Sequence, residues 1–272
     1  MRLRILAFLV LFSAPLAAAD GLGNSAMDAA FRDMYNLEFD AAHRELAGWQ
    51  SSHPADPLCP VADAAAYLFA EFNRLHILEV EFFTNDKSFE TKNRLAPDPA
   101  LRQKFFASLD RGSQLASQAL SRNPNDAQAM FASVLALGLR GDYVALIEKR
   151  QLQGLSNMKQ ARELAERLLA LDPARYDAYL AVGVENYLLS LKPAPLRWML
   201  RMGGAQTDRS TGIDRLRLTA EKGHYLRPFA RLLLAVAALR DNDKPSARAL
   251  LSELAQQFPQ NPLYGKELRA IQ

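Results

Sequence analysis

The chain predicts an all-α protein made of antiparallel helix hairpins stacked side by side. Three observations carry that prediction. A spaced pattern occurs four times: a small residue, Ala or Leu four later, a packing residue three after that, and proline five further on. It reads Ala42/Leu46/Trp49/Pro54, Gly112/Ala116/Ala119/Pro124, Ala161/Ala165/Leu168/Pro173 and Ala247/Leu251/Leu254/Pro259. Residues three and four apart share one face of a helix, so each copy describes a buried stripe with a stop at its end. The stop is physical, because proline lacks a donor and restricts the residue before it. Finally, apolar residues return at three and four spacing along the chain, and alternating runs rich in Val, Ile and Thr are absent.

The elements follow in order. Asp28 to Asn36 and Phe39 to Ser52 make the first hairpin, with Leu46 and Trp49 facing the preceding helix, and His53-Pro54-Ala55-Asp56-Pro57 ends it. Leu58 to Phe83 reads as one long helix, apolar on more than one face and hence enclosed by neighbours. The stretch from Thr84 to Pro99, with Asn85-Asp86, Asn93 and two prolines, reads as a loop. Leu101 to Arg122 is the next helix, and Asp126 is a good N-cap for Ala127 to Arg140. Gly141-Asp142-Tyr143 then predicts a tight reversal with glycine as its C-cap. A longer helix starts at Tyr143, with Gly154 as a break before Asn157 to Leu171. Tyr176 to Leu191 and Thr211 to Lys222 flank the largest insertion, about 192–210. The insertion holds Pro193-Ala194-Pro195, a short amphipathic stretch Leu196 to Met202, and Gly203-Gly204. Tyr225 to Arg240, Pro245 to Phe258 and a short helix from Leu263 finish the chain, with Pro245 in a first turn where its missing donor costs nothing.

The fourfold pattern resembles the second-helix half of the tetratricopeptide (TPR) repeat, and covers most of the chain after the leader. The resemblance implies a TPR-like right-handed solenoid with irregular insertions, forming a single domain over 20–272. The prolines lie 70, 49 and 86 residues apart, so only the first interval approximates two repeats and the array is degenerate. A shorter stretch, Leu188-Leu189-Ser190-Leu191-Lys192-Pro193 with the Gly pair, Asp208-Arg209 and Gly212, is similar to a eukaryotic TPR family of mitochondrial outer membranes. Thr207 stands where that family has glycine and Gly204 where it has an aromatic. That likeness implies an adaptor and transfers no catalytic residue.

Residues 1–19 read as a cleaved Sec-type secretory signal. Arg2 and Arg4 precede the apolar run Ile5 to Phe12, and Ala17-Ala18-Ala19 offers a cleavage site before Asp20. The expected location is therefore the periplasm or the exterior. The two leader arginines account for two of the three net positive charges, so composition gives no argument for nucleic acid. Charge is nevertheless polarised. Asp28 to Glu90 holds twelve acids and four bases, while Lys192 to Arg231 holds nine bases and three acids. Cys59 is the single cysteine, unable to form an internal disulfide, and its apolar neighbours Leu58 and Val61 predict a buried thiol.

Sequence signals for catalysis are missing: no phosphate-cradling glycine loop, no Gly-x-Ser-x-Gly, no His-Glu-x-x-His. His76 and Glu79 are three apart on a helix, but no second copy completes a di-metal set, so no metal or other cofactor is expected. The expectation is a non-catalytic adaptor or scaffold of the bacterial cell envelope, binding a protein or peptide along a concave face. Tyr179, Glu185, Asn186 and Arg231 are the candidates for that face. Two alternatives stand beside it. One is an accessory of a transport system, holding a small ligand or docking on a solute-binding protein. The other is a peripheral membrane protein that touches anionic lipid through Arg197, Trp198 and Arg201, with Arg209 nearby. Self-association of the acidic end with the basic end is a further possibility of the charge pattern.

Overall fold

The computed structural model of the protein describes residues 22–79 and 96–271. Over these residues it has twelve α-helices and no strand. The hairpins are α1 (Ala26–Tyr35) with α2 (Phe39–Ser52), α3 (Leu58–Arg74) with α4 (Pro99–Arg122), and α5 (Ala127–Asp142) with α6 (Gln151–Leu171). They continue with α7 (Tyr179–Ser190), α8 (Ala194–Met202) and α9 (Arg209–Lys222), then α10 (Arg227–Arg240), α11 (Lys244–Gln257) and α12 (Pro262–Ala270). Helix α7 pairs with α9, and α10 with α11. Helix α8 is inserted between the two members of the fourth hairpin.

All four copies of the spaced pattern face the interior. Ala42, Ala116, Ala165, Ala247 and Leu251 are fully buried, as are Leu46, Leu168 and Leu254. The hairpin α7/α9 contains a fifth copy that sequence reading passed over: Gly212, Leu216 and Thr219 hold the same spacing and are buried. Thr219 replaces an apolar packing residue and donates its hydroxyl to the Tyr176 carbonyl at 2.9 Å. His224 stands where the other copies have proline. Gly212 is there for space, since a Cβ would lie 2.6 Å from the Tyr187 nitrogen.

Several boundaries differ from the expected ones. Helix α3 stops at Arg74 rather than running to Phe83, because His76 adopts a left-handed conformation (φ 58°). The His76 amide donates to the Asn73 carbonyl and the Ile77 amide to the Phe72 carbonyl at 2.8 Å. That pairing closes the helix as a Schellman turn, usually a glycine's task. Leu37 and Asn242 close α1 and α10 in the same way (φ 64° and 60°). The expected helical segment from Val80, the polar loop as far as Leu95 and the expected leader lie outside the described residues.

The expected reversal at Gly141-Asp142-Tyr143 is not there. Helix α5 continues through Asp142 into a π-helical turn, Tyr143–Ile147, and the chain reverses at Lys149 (φ 62°). Gly154 does not break α6 either. Its backbone and that of Gly141 approach so closely that a Cβ on Gly154 would sit 2.7 Å from Ala145 Cβ. Glycine serves helix–helix contact at both places. Ala127–Ile147 is, by length and composition, the one described helix long and apolar enough to cross a membrane. Met130, Phe131 and Val134 on it are buried in the interior against α1, α2 and α3 residues.

The first helices of the hairpins share one core, in which Met27 and Phe31 of α1 meet Ala62 and Ala66 of α3, Met130 of α5 and Val182 of α7. Helix α1 also meets residues around α10 and α11. Phe31 stacks on Tyr225 with centroids 4.5 Å apart, and Tyr35 packs on Phe258 at 5.1 Å. Tyr35 Oη donates to the Tyr225 carbonyl at 2.8 Å, and Asn261 Nδ2 donates to the Tyr35 carbonyl at 2.8 Å. Phe69 of α3 meets Phe229 of α10 at 5.9 Å. The array therefore closes on its own side chains.

Candidate docking site on the inserted helix

Two buried polar residues of α7 explain the insertion. Glu185 and Asn186 were candidates for a concave binding face, but their exposures are 0% and 1%. Their partners are the chain that returns from α8. The Gln206 amide donates to Glu185 Oε1 at 2.9 Å, and the Asp208 amide donates to Asn186 Oδ1 at 3.0 Å. Asn186 Nδ2 donates to Gln206 Oε1 at 2.8 Å, and Gln206 Nε2 to Glu166 Oε1 at 2.7 Å. Arg162 of α6 is central to the network, donating to Glu185 at 3.2 Å, Glu166 at 2.8 Å and the Gly204 carbonyl at 3.0 Å. Gly204 itself is left-handed (φ 82°). A buried carboxylate survives only with such partners, so the network both satisfies Glu185 and fixes residues 203–208. Sequence reading found the acceptors. It missed Arg162, Glu166 and Gln206, for which no local spacing signals a role.

Helix α8 is thus held at its exit, and at its entry by Arg197, whose Nη1 donates to the carbonyls of Lys192 at 3.0 Å and Ser190 at 3.3 Å. A guanidinium there meets the negative end of α7. Arg201 Nε donates to Thr207 Oγ1 at 2.6 Å. Arg197 is half-buried, and Arg201 is exposed apart from that bond. Nothing on α8 is buried. Of the seven exposed large apolar side chains among the described residues, four lie on this helix: Leu196 (36%), Trp198 (65%), Met199 (60%) and Met202 (72%). At 100° per residue Trp198, Met202, Met199 and Leu196 form one continuous outward arc. Trp198 does not pack against the other hairpins. Helix α8 therefore keeps Arg197 and Leu200 half-buried and turns Leu196, Trp198, Met199 and Met202 outward.

Beside α8 lies a shallow, open depression of about 470 Å³ lined by Ser190, Arg197, Arg201, Thr207, Asp208, Arg209 and Ser210. Three of the predicted site residues, Arg197, Arg201 and Arg209, therefore converge, with Trp198 on the adjoining arc. Arg209 pairs with Asp241 through Nη2, and its guanidinium lies 5.8 Å from the Tyr187 ring centroid. Asp208 caps α9 by accepting from the Thr211 amide at 2.8 Å and the Ser210 hydroxyl at 2.7 Å; those bonds hold its carboxyl below the usual range. A second depression, about 450 Å³, adjoins Arg209, Asp214 and Arg217. Neither is lined by aromatic side chains, the feature expected of an enclosed small-ligand pocket.

The other two predicted site residues are elsewhere. Tyr179 is half-buried, its hydroxyl 3.5 Å from the Pro173 carbonyl and its ring beneath Arg215 at 5.2 Å. Arg231 is engaged by the Ala220 carbonyl, Gln257 at 3.1 Å and Glu253 at 3.6 Å. Neither lines the depression beside α8.

Other titratable clusters lie outside the depression. His76 meets Glu79 at 3.0 Å, and Lys266 Nζ reaches the same carboxylate at 2.9 Å. Among the described residues no group of three His, Cys, Asp or Glu is arranged to hold a metal. Asp63 lies between His43 Nδ1 and Ser108 Oγ, each at 2.6 Å. The serine donates to the acid and not to the imidazole, so this trio lacks the order that activates a nucleophile. Compared with known proteins, the chain matches no family model, no curated protein and no solved structure.

Proposed function

We propose that this protein is a non-catalytic, TPR-like helical scaffold of the cell envelope that docks through its inserted helix rather than along a concave face. The observation that carries the reading is the outward apolar arc of α8, with Trp198 65%, Met199 60% and Met202 72% exposed. Full burial of a large apolar side chain is worth about 1.5–3 kcal/mol, so a helix that leaves four of them in water forgoes stability its own fold could have used. Isolated apolar residues need no explanation, but a contiguous face fixed by a buried polar network does. The five hairpins and their buried small residues support the resemblance to TPR arrays. The filled interior argues against the peptide groove that such arrays commonly offer.

A photo-reactive amino acid at position 199, in the intact envelope, tests this. Crosslinks from 199 are expected, with none from position 171, an exposed site at the end of α6, or from 179. Products from 179 with none from 199 would return the reading to the concave face.

A further inference from the structure

We propose that the α8 face is a docking surface for an anionic phospholipid bilayer, with lipid phosphates received in the arginine-lined depression. The proposal rests on the reading of α8 as the contact surface and names what covers it. Three features favour lipid over a protein groove.

The chemistry of the face is interfacial. Trp198, two methionines and Leu196 are joined by no acid anywhere in Ala194–Met202, and Lys192, Arg197, Arg201 and Arg209 border it. Tryptophan has an apolar body with one polar N–H, which suits the boundary between headgroups and acyl chains. A short helix lying flat, cations at its margin, is the geometry of interfacial binding.

The depression and the apolar arc also adjoin in the right order. Arg201 and Trp198 are about 60° apart around the helix. A ligand with its charged end among Arg197, Arg201 and Arg209 would lay its apolar part across Trp198 and Met202. A free phosphate has no use for that second half, and an amphiphile does. Donor capacity remains in the depression, because Arg201 commits Nε to Thr207 and Arg209 commits Nη2 to Asp241. Its open form suits a headgroup that enters sideways from a surface.

Finally, the apolar surface extends along the same side. Lys159 of α6 reaches the Gly203 carbonyl at 2.7 Å, and Leu152, 83% exposed, is two turns earlier on the same face of α6. Two helical turns hold a protein to a membrane only weakly, so binding should need both the apolar arc and anionic lipid, each basic residue near the surface adding about 1 kcal/mol.

The test uses the full chain with Trp49→Phe, which leaves Trp198 as the sole tryptophan. Vesicles of phosphatidylcholine, alone or with one-third phosphatidylglycerol, are added at low and high salt. Expected are a blue shift of Trp198 emission on anionic vesicles only, its loss at high salt, and at least tenfold weaker flotation of Met199→Ser/Met202→Ser. Arg201→Gln should weaken flotation several-fold, and Arg201→Lys should restore part of it, with melting curves confirming that both fold. All variants share residues 1–21, so any membrane affinity of that segment cancels in the comparison. Glycerol phosphate competing as well as vesicles at equal phosphate would overturn the lipid assignment in favour of a soluble anion. Unmoved Trp198 emission, or flotation unaffected by the serine changes, would overturn it outright. If that happens while position 199 still crosslinks to a protein or to a second copy of the chain, the docking reading stands with another occupant. If 199 crosslinks to nothing, both readings fall.

Discussion

Arg162 Nε donates to Glu185 Oε2 at 3.2 Å, with side-chain exposures of 6% and 1%. This buried pair joins the third hairpin to the fourth and, through the Gly204 carbonyl and the Gln206 amide, sets the return path of the inserted helix. Burial alone would weaken the guanidinium's hold on its proton, but Glu166 and Glu185 raise its pKa above the ordinary value.

Breaking this pair from one side should be costly. Glu185→Ala leaves Arg162 Nε and the Gln206 amide as unpaired donors while Glu166 still faces the guanidinium, and is expected to cost about 2–3 kcal/mol in urea unfolding. Arg162→Met/Glu185→Met removes both charges and should cost clearly less than the sum of the single changes. Limited proteolysis would show cleavage near Gly203-Gly204 in Glu185→Ala before the hairpins open. Additive single costs would dissolve the network argument.

Two glycines should respond in opposite directions to one substitution. Gly212→Ala drives a methyl to 2.6 Å from the Tyr187 nitrogen, where backbone must move, and should destabilise by roughly 2 kcal/mol or more. Gly138, in the middle of α5, has nothing within 4 Å of a Cβ, so Gly138→Ala should stabilise by about 0.5–1 kcal/mol through helix propensity. Thermal unfolding of the two variants decides it.

Cys59 is expected to be inert in the folded protein. Burial first, then the charges of Asp56 and Asp63, push its thiol up to about 12, and its Sγ contacts the Leu46 carbonyl at 3.2 Å. A thiol reagent should label it at neutral pH only after denaturant is added. Rapid labelling of the native chain would contradict the buried position.

Asp142 gives a pH dependence with a definite sign. It is partly buried at the start of the π-helical turn, and burial pushes its pKa from 3.8 to about 7. A carboxyl raised on folding favours the folded state only while protonated. Stability from this group is therefore complete below about pH 4 and lost as pH rises toward 7. Asp142→Asn should raise stability at pH 8 by about 1–2 kcal/mol, a value discounted for residual solvent access, and change little at pH 4. Equal effects at both pH values would assign the change to something other than ionisation.

The fold was legible where information is local. Helical spacing, Asp126 as an N-cap, the prolines that end α2, α4, α6 and α11, and the buried face of four hairpins all follow from residues within one or two turns of each other. Misreadings occurred where a non-glycine residue took a glycine's conformation, at His76, or where a glycine served contact rather than a turn, at Gly141 and Gly154. The fifth copy of the pattern was hidden because Thr219 and His224 replace its apolar and proline positions.

For the site, sequence alone determined that residues 192–210 interrupt the array and that Arg197/Arg201 and Trp198/Met202 occupy neighbouring faces of a short helix. It could not determine which face turns outward, because an amphipathic helix of two turns satisfies either orientation until something fixes it. The tertiary structure made that choice. Carbonyls at the end of α7 and the Thr207 hydroxyl take the arginines, and Glu185 and Asn186 hold the exit, so the apolar arc is left in water. Closure was likewise a tertiary decision. Contacts such as Tyr35 with Tyr225 and Phe69 with Phe229 join residues more than 150 positions apart, and only the accumulated angles of successive hairpins bring them together.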